Sequence, residues 1–200
     1  MNRFDHVLLG VRDLDTAAAR LRHDYGLGTQ PGGTPAPGLL NTVVPLQPPT
    51  YLELITVTDP TASEPARRLA GRIAGGDRLF TWAIVPNDIA SEAARLGREP
   101  TAGGIDTGRW HLLGDVGPEL PFFIDYGVPR ARLAEGWSRG YAKAMHDCAP
   151  GPVTYLEISG DDSVVRDWVG DVDVPLRFVN GSKGLVAVGI ATANGEIVVH

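Results

Sequence analysis

A pattern that occurs twice constrains the fold of this chain more than any other feature. Residues 13–21 recur 75 residues later as residues 88–96, with an acidic residue at the start of each copy and Ala-Ala-Arg-Leu at its end. A second match follows, because residues 38–54 align without gaps on residues 108–124 at an offset of 70. Each copy is predicted to form a strand, a helix and then a set of strands, so equivalent positions can be compared for chemistry.

The order of elements predicts one domain built from two copies and a tail. Two hundred residues can bury a sizeable core and usually make one domain. Apolar alternation predicts strands, and Asp13 and Asp88 are expected to cap the helix of each copy. The predicted parts are module one (1–57), a connector (58–78), module two (79–127), a weakly structured insert (128–150) and a partial third module (151–200).

Composition excludes several classes of function. The net charge is −6 and the Lys and Arg residues are scattered, which argues against a nucleic-acid partner. No apolar run approaches the ~20 residues that span a bilayer, so we expect no membrane partner. The start lacks the apolar stretch of a signal peptide, and the single Cys148 cannot form an intramolecular disulfide. We therefore expect a cytoplasmic protein whose partner is a small-molecule ligand or substrate.

Two polar residues in apolar strands are the leading candidates for a site. Side chains alternate along a strand, so His6 shares a face with Leu8, and Glu53 shares a face with Tyr51 and Ile55. Burying an imidazole or a carboxylate without a partner costs several kcal/mol, so each requires water, a hydrogen bond, a ligand or a metal. The alternative is structural, with His6 satisfied in the core and Glu53 paired with an arginine.

Comparison of the two copies tests for a symmetric metal site. At an offset of 75 His6 becomes Thr81, and at an offset of 70 Glu53 becomes Phe123, so the possible ligands are not repeated. Catalytic zinc normally takes three protein donors, and His111 and Asp125 are the available additional ones. The residues leave open whether the protein binds one divalent metal ion, through His6 and Glu53, or none.

Several segments together resemble a known family. They are Phe-Asp-His-Val-Leu-Leu-Gly-Val-Arg-Asp-Leu-Asp (4–15), Pro-Gly-Gly (31–33), Gly-Leu-Leu-Asn (38–41), Tyr-Leu-Glu-Leu-Ile (51–55) and Leu-Pro-Phe-Phe-Ile (120–124). This set resembles the glyoxalase-like domain proteins of the vicinal oxygen chelate superfamily, over residues 1 to about 127. The resemblance implies an α+β fold of paired βαβββ modules, which form a cup-shaped curved sheet around a small-molecule site. In members of the family that use a metal, the ligands come from the first and last strands of each module. The resemblance therefore implies that His6 and Glu53 occupy ligand positions of module one.

The resemblance and the residues together suggest two functions. The first is an enzyme of the lyase, isomerase or dioxygenase type, in which Glu53 acts as a general base and His6 polarises or reprotonates an oxygen, with or without a metal. The second is a non-catalytic sequestering protein of the bleomycin-resistance type, with the cup as a simple binding site. The residues expected to bind the substrate are Asn41, Tyr51, Thr81, Trp110, His111, Phe123 and Asp125. A homodimer is also expected, because a partial third module leaves sheet surface to cover.

Overall fold

Two β-sheets and five helices make up the fold in a computed structural model, which describes residues 1–103, 110–114 and 120–200. The strands are β1 (Arg3–Gly10), β2 (Gln30–Pro31), β3 (Leu39–Pro45), β4 (Tyr51–Val57), β5 (Arg78–Val85), β6 (Thr101–Gly103), β7 (Trp110–Leu113), β8 (Phe122–Asp125), β9 (Pro150–Ser159), β10 (Leu176–Val179), β11 (Gly184–Thr192) and β12 (Gly195–Val199). The helices are α1 (Leu14–Tyr25), α2 (Glu64–Ile73), α3 (Ile89–Leu96), α4 (Arg130–Ala144) and α5 (Asp162–Val169). Gly108 and Arg109 of the second repeat lie outside the described residues.

The larger sheet places the two copies side by side. Its strand order is β2-β3-β4-β1-β5-β8-β7-β6, with β1 and β5 antiparallel at the centre and Leu8 opposite Thr81. The first strand of each copy also pairs in parallel with the last strand of the same copy. The predicted paired βαβββ modules are therefore confirmed. The first strands of the two copies, which carry His6 and Thr81, are neighbours at the centre of the sheet.

The repeated segment consists of the signals that begin and end a helix. The side chain of Asp13 accepts a hydrogen bond from the free backbone N–H of Thr16 at 2.7 Å, and Asp88 caps α3 in the same way. Both helices end at a glycine in the left-handed region, Gly26 with φ of 70° and Gly97 with φ of 62°. Asp13 and Asp88 therefore cap the two helices as predicted.

The C-terminal sheet has the predicted element order but a different strand pairing. Its order is β10-β9-β11-β12, so its first strand, β9, lies between the second and third strands of the unit. In both modules, by contrast, the first strand pairs with the last. The unit thus has the βαβββ element order expected of the partial third module, with a strand pairing of its own. The unit nevertheless shares a hydrophobic cluster with the larger sheet, in which Leu156 and Ile158 are buried together with Val7 and Leu9.

The segment expected to be weakly structured contains the 15-residue helix α4. Its larger apolar side chains follow helical spacing, at Leu133, Trp137 and Tyr141. Gly136 and Gly140 weaken the helical signal, and Pro129 before the helix offers no side-chain cap, which is why the sequence did not reveal the helix. None of the helices in the described part of the chain has the length and apolarity needed to cross a membrane.

Candidate functional site

A cavity of about 410 Å³ lies on one face of the larger sheet, next to α2. Six of the side chains predicted for the site line it: His6, Asn41, Tyr51, Glu53, Thr81 and Trp110. They belong to the strands β1, β3, β4, β5 and β7, so both modules contribute to one site. Its volume lies in the range typical of small-molecule pockets.

His6 and Glu53 face each other because their strands are neighbours. Strands β1 and β4 pair in parallel, with Leu8 beside Glu53, and the alternation predicted for both strands brings the two polar side chains to the cavity side. His6 Nε2 lies 3.4 Å from Glu53 Oε2. Both residues are buried, with 2 % and 6 % of their surface exposed. The imidazole and the carboxylate therefore form a compact acid–base pair.

Asp5 orients the imidazole through an irregularity in β1. The pairing of β1 with β5 shifts register between Phe4 and His6, so Asp5 is the extra residue of a bulge, a device that can redirect a side chain. His6 Nδ1 donates to Asp5 Oδ2 at 2.7 Å, and the Tyr126 hydroxyl donates to the same oxygen at 2.7 Å. Because a carboxylate only accepts hydrogen bonds, Nδ1 carries a proton, and Nε2 faces Glu53. The sequence showed Asp5 as polar in an apolar strand but could not show this contact.

Aromatic rings stack on the face of the His6 imidazole. The Tyr51 ring stacks on His6 with centroids 4.4 Å apart and on Trp137 of α4 with centroids 4.2 Å apart. The Tyr51 and Tyr126 hydroxyl oxygens lie 3.2 Å from each other. Burial raises the pKa of both hydroxyls well above the usual value for tyrosine, and the negative charge of Asp5 adds to the effect. Both hydroxyls therefore stay protonated and remain available as donors.

Asn41 orients the carboxylate in the same manner. Its Nδ2 donates to Glu53 Oε1 at 2.7 Å, and its Oδ1 accepts from the backbone N–H of Gly33. Gly32 leaves room for this arrangement, because a Cβ atom there would lie 2.0 Å from Asn41 Oδ1. Each oxygen of Glu53 thus has an assigned neighbour, the amide on one side and the imidazole on the other.

Away from this polar end the cavity is largely apolar. Its walls include Leu8, Leu39, Ile55, Leu69, Phe80, Phe122 and Ile124, with Arg68 of α2 as a charged lining residue. Leu69 and other side chains of α2 pack against Leu8, Leu39 and Ile55 in a small hydrophobic cluster of their own. The helix in the connector therefore forms part of the site, which the sequence did not indicate.

Three predicted lining residues lie elsewhere, because the gapless alignment is wrong by one residue in module two. Leu8 pairs with Glu53, and Ala83, its equivalent 75 residues later, pairs with Phe122. Phe122 and not Phe123 is thus equivalent to Glu53, and a shift of one residue turns a strand over. Phe123 is fully buried in the main hydrophobic core, near the ring of Trp168.

Because of the same one-residue shift, the two additional metal donors predicted from the sequence, His111 and Asp125, do not line the cavity. His111 and Asp125 pair with each other across β7 and β8, on the face opposite the cavity-lining Leu112 and Ile124. His111 is exposed, and the Asp125 carboxylate accepts a hydrogen bond from the backbone N–H of Gly127 at 2.9 Å. Neither residue can complete a site at His6 and Glu53.

The donors present do not fit a catalytic metal. Within the described residues no group of three His, Cys, Asp or Glu side chains could surround an ion. Thr81 and Phe122 stand at the module-two equivalents of His6 and Glu53, and the amide oxygen of Asn41 is turned toward Gly33. Since a catalytic zinc normally has three protein ligands, a His and a carboxylate alone are an incomplete set.

Comparisons with known proteins agree with this architecture. A crystal structure of a hypothetical protein from Staphylococcus aureus has a TM-score of 0.74 at 16% identity and covers 98% of this chain and 92% of that one. A Streptomyces coelicolor methylmalonyl-CoA epimerase in complex with 2-nitronate-propionyl-CoA has a TM-score of 0.50 at 18% identity, covering 64% of this chain and 99% of that one. For the Mycobacterium tuberculosis methylmalonyl-CoA epimerase the TM-score is 0.47 at 20% identity, with 66% and 91% covered.

The first two of these structures show a shared fold and nothing finer. No curated protein sequence matches the chain. The family model for the glyoxalase-like domain, however, matches residues 4–164, which include both modules and the cavity. The resemblance predicted from the sequence is confirmed, and the chain belongs to the glyoxalase-like domain family.

Proposed function

We propose that this protein is an enzyme of the isomerase or lyase type that moves a proton on the carbon atom beside a carbonyl group, without a metal ion. The observation that carries the proposal is the pair formed by His6 Nε2 and Glu53 Oε2, 3.4 Å apart in an apolar cavity. Asp5 orients the imidazole and Asn41 orients the carboxylate. Such preorganised acid–base pairs are typical of proton-transfer sites.

We infer a role for each member of the pair from its position. Glu53 accepts the proton from the carbon atom, and the electrons of the C–H bond move onto the carbonyl oxygen to give an enolate. His6 in its imidazolium form, with Nδ1–H held by Asp5, directs its Nε2–H to that oxygen and stabilises the negative charge. Transfer of that proton by Glu53 to a different carbon atom of the delocalised anion re-forms the carbonyl group and completes an isomerisation. In a lyase reaction, the bond from the neighbouring carbon atom to a leaving group breaks instead, and the leaving group takes the proton from Glu53.

The fold supports this class of reaction in a general way. A methylmalonyl-CoA epimerase, which is an isomerase, shares the paired-module architecture over 64% of this chain. The apolar walls around Glu53 also favour proton abstraction, because they exclude the water that would compete for the carboxylate.

The test is hydrogen exchange at carbon. Small carbonyl compounds would be incubated with the protein in D2O, and loss of the proton beside the carbonyl would be followed by NMR. We expect Glu53→Gln to lower the exchange rate by about 10² to 10⁴, the range for loss of a general base. Glu157→Gln is the matched control, because Glu157 ends the same Tyr-Leu-Glu triplet but lies on β9 in the other sheet.

A different result would favour the sequestering function. Saturation-transfer NMR on the same compounds shows which of them bind. If compounds bind tightly but exchange no hydrogen, or if Glu53→Gln exchanges as fast as the wild type, the acid–base role is wrong and the cavity is a binding site only.

A further inference from the structure

We propose that the substrate of this cavity is an organic anion with an apolar body, whose carboxylate, sulfonate or similar group is bound by Arg68 on α2. The anionic group lies at the end of the cavity opposite the acid–base pair. This inference rests on the proposed function only for the statement that the reacting end of the substrate lies at His6 and Glu53. The anion preference itself depends on α2, and it can be measured without any turnover.

One face of α2 forms a wall of the cavity. Pro65, Arg68 and Leu69 all line it, and their spacing of three and four residues places them on one side of the helix. The helix lies directly on the sheet at Gly10, where a Cβ atom would come within 2.9 Å of Leu69 and 2.7 Å of Ile73. Arg68 is therefore held beside the cavity by the packing of its neighbours on both sides.

The contact of α2 with Gly10 lies at a distance from the acid–base pair along β1. Gly10 is four residues beyond His6 on β1, and at about 3.3 Å per residue the two lie roughly 13 Å apart along the strand. A ligand that reaches both ends has to span on the order of 10 Å. This length corresponds to about two fused aromatic rings with a substituent at each end, and the cavity of about 410 Å³ has room for such a molecule.

The charge of α2 favours an anionic ligand. The helix carries Arg67, Arg68 and Arg72 against the single carboxylate of Glu64, in a protein whose net charge is −6. Arg68 Nη2 lies 3.7 Å from Glu64 Oε1. The guanidinium of Arg72 stacks over the ring of Phe80, which lines the cavity. Among the described lining residues Arg68 is the one Lys or Arg. A basic helix at the cavity attracts anions and orients them.

The middle of the cavity selects an apolar body. Ile55, Leu69, Phe80, Phe122 and Ile124 offer no side-chain hydrogen bonds. A sugar or polyol placed there would lose its hydrogen bonds to water without replacement, which costs several kcal/mol on cyclohexane-type scales. The walls therefore select an aromatic or branched aliphatic body, and the polar groups of the substrate are confined to its two ends.

The experiment compares two fluorescent compounds that differ in one anionic group. 8-Anilinonaphthalene-1-sulfonate and the neutral N-phenyl-1-naphthylamine share the same aromatic body, and their affinities for the whole protein would be measured by titration. We expect the sulfonate to bind about tenfold more tightly, as a charge-assisted hydrogen bond allows. Arg68→Gln should abolish this difference by weakening the sulfonate alone. Arg67→Gln is the matched control, because Arg67 pairs with Glu64 and does not line the cavity.

A second variant shows that the compounds bind in the cavity. Thr101 lines it at an exposed strand, so Thr101→Trp should weaken both compounds without affecting the fold. Equal affinities for both compounds in the wild type, no binding of either, an equal effect of Arg68→Gln on both, or unchanged binding in Thr101→Trp would each overturn the proposal. Since these are equilibrium measurements, an anion preference without hydrogen exchange would refute the proposed function and leave this inference standing.

Discussion

Asn41 lies between the Gly32-Gly33 turn and Glu53, so the space left by that turn decides where its amide points. A Cβ atom on Gly32 would lie 2.0 Å from Asn41 Oδ1 and 2.8 Å from its backbone oxygen. At Gly33 no atom lies within 4 Å of the equivalent position. A side chain would therefore clash at Gly32 but not at Gly33. Only Gly32 is required to keep Asn41, and through it the Glu53 carboxylate, in its observed orientation.

Gly32→Ala should destabilise the protein. The added methyl group has to displace Asn41 and part of its backbone, and such overpacking typically costs about 1–3 kcal/mol. For a chain of this size we expect the midpoint of thermal unfolding to fall by several degrees. The measurement is thermal unfolding followed by circular dichroism, and the amide of Asn41 should also shift in NMR spectra.

Gly33→Ala is the control for this change. Its side chain would point into open space and its backbone N–H would still donate to Asn41, so we expect an effect within about 0.5 kcal/mol. Equal losses of stability in the two variants would show that the turn tolerates no side chain at all, against the role assigned to Gly32.

At the scale of elements, α4 connects the insert to module one and to the site. The helix ends against Gly28, where a Cβ atom would lie 1.9 Å from the carbonyl oxygen of Ala144. Close approach at this end of α4 helps to place Trp137 on Tyr51, and thereby supports the ring that stacks on His6. A helix outside both modules thus contributes to the geometry of the acid–base pair.

Two glycine substitutions should change stability in opposite directions. Gly28→Ala pushes the end of α4 away from module one, and we expect a loss of about 1–3 kcal/mol and a weaker near-UV circular dichroism signal from the stacked rings. Gly136 lies within α4 with no atom near its potential Cβ, so Gly136→Ala should stabilise by about 0.5–1 kcal/mol through helix propensity. Urea unfolding measures both free energies.

A loss of stability in Gly136→Ala would contradict the packing of α4 described above, because it would mean that this face of the helix is covered. An unchanged near-UV signal in Gly28→Ala would show that the stacking of Trp137 on Tyr51 does not depend on the contact between Gly28 and the end of α4.

For the whole molecule, the two sheets share one hydrophobic core. Leu156, Ile158 and Val188 of the C-terminal unit belong to the same buried cluster as Val7 and Leu9 of the larger sheet. Neither sheet can therefore lose its structure without exposing apolar surface of the other.

We expect the chain to unfold in a single transition that both sheets share. Ile158→Ala, on β9, should lower the free energy of unfolding by about 2–5 kcal/mol, the range for a fully buried isoleucine. Hydrogen exchange should then report the loss in amides of both sheets, β1 included. If only the amides of the C-terminal sheet respond, or if two transitions are seen, the units are independent.

Much of the architecture could be predicted, because it follows from local signals. The caps at Asp13 and Asp88 and the alternation in β1 and β4 depend on residues close in sequence, and they predicted where the helices begin and which face His6 and Glu53 occupy. The resemblance to the glyoxalase-like proteins implied the pairing of the two modules. The register of β8 was not accessible in this way. A gapless alignment can be wrong by one residue without changing the predicted strands, yet that one residue placed Phe123 in the cavity where Phe122 lies.

The sequence by itself determined the order of strands and helix within the two modules and the faces of β1 and β4, since these arise from spacing within each segment. The resemblance of its segments also identified the family. Tertiary structure decided what no local spacing encodes: the bulge that brings Asp5 to His6, the Trp137 ring behind Tyr51 and the α2 wall with Arg68. Each of these contacts joins residues whose meeting depends on strand register or on the packing of a distant helix. The acid–base pair was therefore visible in the sequence, whereas the groups that orient it were not.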